Sequence, residues 1–243
     1  MGKHDAIAEQ LTQDILRGHY RPGERLPSER DLATRFDANR SSVREAMQKL
    51  AHLGIADIQP GGTRVVPLNE ASLDIIEPIL DLDEIPNRQL VDNIMQVLEG
   101  LVQVAVESTL VNASEEQLNR IREHSRPLYK ERLSQEQHAI ARFTLMHSLM
   151  TESNNLVCQL LARSLLLRFA PRMEPLGKYL SIDMDAHGIY AKQLDGALAS
   201  RDVEATRAVF AGLSKLNRET MARAYIEYEK NAKNKNTLKE VSS

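Results

Sequence analysis

Glycine and proline are unevenly spread along the 243 residues, and that unevenness limits the folds open to the chain. Nine of the twenty, Gly18, Pro22, Gly23, Pro27, Gly54, Pro60, Gly61, Gly62 and Pro67, fall within residues 18–67. Each forces a turn or ends a helix, so that segment must be short elements joined tightly. From Ala71 onward, long runs carry apolar residues at helical spacing, broken near Pro86, Pro127 and Pro171 to Pro175. Aromatics make up only 4% and Trp is absent, which favours helix over sheet. The expected fold is mainly α: an N-terminal domain of short elements over 1–67, a connector over 68–86, an all-helical bundle over 87–230 and a polar tail over 231–243.

Within the first segment, Ala6, Ile7, Leu11, Ile15 and Leu16 predict a helix ending before Gly18. Ser28, with Asp31 three residues on, reads as the N-cap of a second helix over Glu29 to Phe36. After a three-residue polar turn, Val43, Ala46, Met47, Leu50 and Leu53 give a third, amphipathic helix stopped by Gly54. Two short β-prone runs, Ile55 to Pro60 and Thr63 to Val66, flank Gly61-Gly62 as a hairpin. Three helices and a two-stranded wing are the order of a winged helix-turn-helix.

The third helix starts with Asn39, Arg40, Ser41, Ser42 and Arg44, where free amides and the helix dipole favour a phosphate and where Arg can pair two-pronged with guanine. An exposed charged face would carry such arginines too. What argues for nucleic acid is their order with the turn, the cap and the wing. Global charge gives no help, because the chain carries a net −3. Residues 1–66 hold 10 Lys plus Arg against 9 Asp plus Glu, a balance of +1, and the remainder holds 21 against 25, or −4. Any DNA contact must be local.

The runs Pro22-Gly23-Glu24-Arg25-Leu26-Pro27-Ser28-Glu29-Arg30, Asn39-Arg40-Ser41-Ser42-Val43-Arg44-Glu45-Ala46 and Gly61-Gly62-Thr63-Arg64-Val65 resemble the DNA-binding domain of the GntR family of bacterial regulators. The resemblance implies operator contacts by Arg30, Arg40, Ser41, Ser42, Arg44, Gly61 and Gly62, with Asn39 as the cap. Pro60 stands where the fatty-acid branch carries a wing His.

The second segment is similar, by pattern more than identity, to the effector domain of the FadR subfamily. A helix over about Asn87 to Leu110 is expected to be central and buried on most of its surface, with five more helices after it. Most of that subfamily holds a divalent metal with one Asp and three His. Here those positions correspond to Phe143, His147, Ala191 and Leu213, so the resemblance implies no metal; His187 lies one turn too early. An apolar cavity suits an acyl chain, and the stretches Leu73 to Asp83 and Gln89 to Ile94 look like the acyl-CoA-responsive branch. Of that branch's Gly, Ser and Trp, only the first is kept, as Gly212, with Lys215 and Glu219 at the others.

Candidate effector contacts are therefore Met95, Leu98, Leu101, Val102, Phe143 and Met146, together with His147, Leu149, Gly212 and Leu213. Arg163, Arg168 and Arg172 could pair a carboxylate or phosphate. The reading is a homodimeric, effector-controlled regulator of double-stranded operator DNA, its organic effector a fatty acyl-CoA or fatty acid. The alternatives are a response to a small organic acid without a metal, or a helical ligand-binding or enzymatic protein that does not bind DNA. No paired carboxylates, nucleophile triad or phosphate-cradling loop supports an enzyme. One cysteine, Cys158, and no signal-like apolar run lead us to expect a cytoplasmic protein without a membrane span.

Overall fold

A computed structural model describes residues 2–241, with side chains through residue 232. The chain divides into two compact units, Met1–Pro86 and Asn87–Ser243.

The first unit holds α1 (Lys3–Leu16), α2 (Glu29–Arg35), α3 (Arg40–His52), β1 (Ala56–Gln59), β2 (Gly62–Val65) and α4 (Ile76–Leu80). Ile7, Leu11 and Ile15 of α1 pack with Leu32, Val43, Met47, Leu50, Ile55 and Val65 in a single buried cluster. Polar chemistry also pins α2 to α1. Asp14, almost fully buried, takes a bond from Arg35 Nη2 at 2.8 Å, and Gln10 and His19 close in on it. Burial alone would raise the Asp14 pKa, yet those bonds outweigh it and lower the pKa.

The helix-turn-helix corner is made without glycine. Asp37 adopts φ 45°, and the amide of Ala38 bonds Ala33 O at 2.9 Å, closing the end of α2. Gly54, at φ +73°, ends α3, and a Cβ there would meet Ser72 N at 2.8 Å, so the chain returning from the wing passes directly over it. Ile75 buries in the same cluster with Ile79 packed against it, so residues 68–86 fold onto the N-terminal core. The hairpin differs from its expected register: Gln59 pairs Gly62, the loop is Pro60-Gly61, and Gly62 opens β2.

The second unit is helical: α5 (Arg88–Asn112), α6 (Glu115–Ser125), α7 (Pro127–Lys130), α8 (Gln135–Glu152), α9 (Leu156–Phe169), α10 (Glu174–Gly177), α11 (Met184–Ala199) and α12 (Val203–Val241). Ser114 and Ser134 each form a capping box, with Gln117 and Gln137. Helices α6 and α7 are separate because Pro127 starts α7. The tail expected after 230 begins as a continuation of α12, and the side chains of 233–243 lie outside the described residues.

Helix α5 passes along α8, α9 and α12. Its burial is less than its composition suggested. Seven of 25 residues are buried, and Val97, Val104 and Val111 are exposed. Leu156, Val157, Leu160, Leu161 and Leu167 are likewise exposed on α9. Periodicity reports how apolar a face is, not whether this chain covers it. By length and composition α5 could also cross a membrane, but Val102, Ala105, Val106 and Leu110 belong to the bundle core.

Candidate functional sites

The N-terminus of α3 presents a compact set of donors. Asn39 Oδ1 caps it by accepting from Ser42 N at 2.7 Å, leaving Arg40 and Ser41 exposed in the first turn. Ser28 caps α2 by accepting from Asp31 N at 3.3 Å and donates to Asp31 Oδ2 at 2.6 Å. That bond, with Arg30 nearby, lowers the Asp31 pKa and keeps Ser28 fixed at the start of α2. Arg30 is 78% exposed, and Arg44 is exposed but held by both carboxylate oxygens of Glu29 at 3.2 Å. In the wing, Gly62 at φ +119° lies under the Arg25 guanidinium, where a Cβ would come within 2.3 Å of Nε. Gly61 has open space around it. Arg64 Nη1 donates to Gly23 O at 2.9 Å, tying the wing to the loop before α2.

Three helices, a turn that offers one helix end-on, and a two-stranded wing define this unit as a winged helix-turn-helix module. Residues 3–66 match the model of the bacterial regulatory proteins, gntR family, and the domain over those residues belongs to the GntR family. The fatty acid metabolism regulator protein of Proteus mirabilis is 33% identical over 114 residues, 45% of this chain and 47% of that protein. The HTH-type transcriptional regulator Mce2R of Mycobacterium tuberculosis is 36% identical over 78 residues, 31% of this chain and 32% of its own. The uncharacterized HTH-type transcriptional regulator YieP of Escherichia coli is 45% identical over 62 residues, or 25% and 27%. The matched part of the chain thus spans only a quarter to a half of these relatives. A solved structure described as "Lar controls the expression of the Listeria monocytogenes agr system and mediates virulence" overlays with TM-score 0.51 at 18% identity. It covers 93% of this chain and 97% of that one, so the likeness in fold extends across the helical unit.

The helical unit holds a half-open cavity of about 420 Å³ between α5, α8, α11 and α12. Met95, Leu98, Val102, Phe143, Met146, Leu149 and Leu213 line it. Five other effector candidates face elsewhere. Leu101 packs against the bundle core, its carbonyl taking a bond from Cys158 Sγ of α9. His147 is exposed and stacks near Phe143 at 6.4 Å. Arg163 is on the outer side of α9, and Arg168 bonds Ser164 within that helix. The Tyr190 ring occupies the space over Gly212, where a Cβ would lie 2.3 Å from it, so that glycine serves helix packing.

Spacing alone overlooked the cavity's polar lining: Arg142, His187, Asn217, Ser214, Thr220 and Glu99. Arg142 Nη2 donates to Asn217 Oδ1 at 2.7 Å. His187 is buried, its ring edge-on to His138 at 5.4 Å, and burial, with Arg142 and His138 nearby, drives its pKa down to about 3. The side chains at the subfamily's ligand positions do not suit a divalent ion: only His147 is a donor, and it is exposed. Among the described residues, no three His, Cys, Asp or Glu side chains gather to hold one.

Proposed function

We propose that the chain is a DNA-binding transcriptional regulator whose helical unit binds an organic effector. One observation carries the reading: a GntR-family domain in which an Asn39-capped helix offers Arg40, Ser41, Ser42 and Arg44 together at one exposed end. Those groups, with Arg30 and the wing glycines Gly61 and Gly62, contact the operator, phosphates at the helix N-terminus and base edges further along the exposed face. Two copies bind a pseudo-palindrome, as helix-turn-helix dimers do. The apolar side chains left open on α5 and α9 supply the face where the copies meet.

The name of the Proteus mirabilis relative supports an effector with an acyl chain, and an apolar cavity of about 420 Å³ is a suitable place for it. Effector occupancy alters the pairing of the two DNA-binding domains. The test selects operator sequences from random duplexes with the full-length protein, then measures gel-shift affinity for wild type, Arg40→Ala and Arg44→Ala. Selection should give a two-half-site sequence, and both variants should bind it at least about tenfold more weakly. Unchanged affinity in both would overturn the assignment.

A further inference from the structure

The cavity holds a cation that the protein only partly satisfies. Arg142 has five N–H donors and, among the described residues, makes one hydrogen bond, to the neutral amide of Asn217. Among the described residues, no carboxylate lies within salt-bridge distance of it. The acid in the same lining, Glu99, is engaged by Arg218 on its far oxygen. His187 is held neutral and so adds no second positive charge beside it. Around these groups the wall is apolar: Met95, Leu98, Val102, Leu149, Phe210 and Leu213.

A largely covered guanidinium without an anion beside it is costly and cannot shed its proton at ordinary pH. Packing does not require it, because Met would fill similar volume without the desolvation cost. We propose that Arg142 is the head-group site for a free carboxylate whose apolar body fills the rest of the cavity, with Asn217 positioning the guanidinium. Bidentate pairing would supply the missing acceptors and cancel the charge. A thioester carbonyl would accept one hydrogen bond but leave the charge uncancelled, so the ligand class is an amphipathic monocarboxylate and not its coenzyme A ester. Glu99 Oε1, buried and without a partner among the described residues, lines the same cavity and is free to accept a hydroxyl or amine hydrogen from a substituted acid. This proposal deepens the effector reading above, and its test uses no DNA, so the two can fail separately.

Calorimetric titration of the full-length protein with octanoate and 4-phenylbutanoate, beside methyl octanoate and octanoyl-CoA, is the experiment. At least one acid should bind wild type and lose about tenfold or more in Arg142→Met, whereas the ester should bind both proteins alike and more weakly. Without ligand, Arg142→Met should melt at or above the wild-type temperature, which a residue kept for structure would not allow. The proposal is overturned if neither acid binds, if acid and ester bind equally, if octanoyl-CoA binds tightly and Arg142→Met leaves that unchanged, or if ligand-free Arg142→Met melts well below wild type.

Discussion

Arg44 on α3 is gripped by Glu29 on α2, with Nε and Nη2 each 3.2 Å from a carboxylate oxygen. The bond raises the Arg44 pKa and holds the guanidinium against the start of α2. It also places an anion beside the surface proposed to meet phosphates.

Glu29→Gln should therefore improve binding to random DNA while reducing discrimination. The pair is exposed, so the change is modest, about two- to fivefold. Competition of labelled operator against nonspecific duplex measures it. A loss of nonspecific binding would show that Glu29 does not oppose the phosphate backbone.

Arg40 occupies the first turn of α3 beside amides left free by the Asn39 cap, a place suited to a phosphate. Arg40→Ala should weaken binding nearly uniformly across operator variants. The slope of log affinity against log salt should become shallower by about 1. A loss confined to one base position, with the slope intact, would make Arg40 a base reader.

Arg201 adopts φ 52° in the turn between α11 and α12 and donates to the carbonyls of Leu110 and Ala113 at 2.9 and 2.7 Å, capping the end of α5. Arg201→Ala should lower stability by about 2 kcal/mol in urea unfolding, the value of charged bonds to otherwise open carbonyls. Arg201→Gly should recover about 1 kcal/mol of that, because glycine carries no penalty at positive φ. Equal losses in both would argue against backbone strain at this turn.

Acid should destabilise the helical unit first. His187 has a folded pKa of about 3 against 6.5 unfolded, so the unfolded chain takes up a proton between those values and the folded chain does not. Stability present above pH 6.5 is lost as pH falls toward 3, by at most about 1.4 kcal/mol per pH unit. Asp14 in the first unit, whose pKa is lowered, acts only below its unfolded value of 3.8. Urea midpoints between pH 7 and 5 should fall for wild type and hold more nearly level in His187→Leu. A parallel fall in both would remove His187 as the cause.

If a second copy covers α5 and α9, a charge there must disrupt it. Val104→Glu with Leu160→Glu should shift the protein toward monomer in analytical ultracentrifugation, with helix content retained, and should weaken operator binding. An unchanged sedimentation coefficient would place the dimer contact elsewhere.

Much of the first unit was legible residue by residue, because its signals are local. Ser28 and Asn39 cap helices through their own neighbouring amides, Gly54 stops α3 by its backbone freedom, and the motif runs carry the family resemblance without gaps. The sequence by itself determined the winged module and the helical character of the rest, since both depend on interactions within a few residues along the chain. Tertiary structure decided which side of each helix meets which neighbour. The spacing that put Phe143, Met146 and Leu149 near a cavity could not show that Arg142, beside Phe143, turns inward to Asn217, 75 residues away. Nor could it tell that Arg163 faces outward, or that the valines of α5 stay open, because an apolar stripe has the same period whether this chain covers it or leaves it for another.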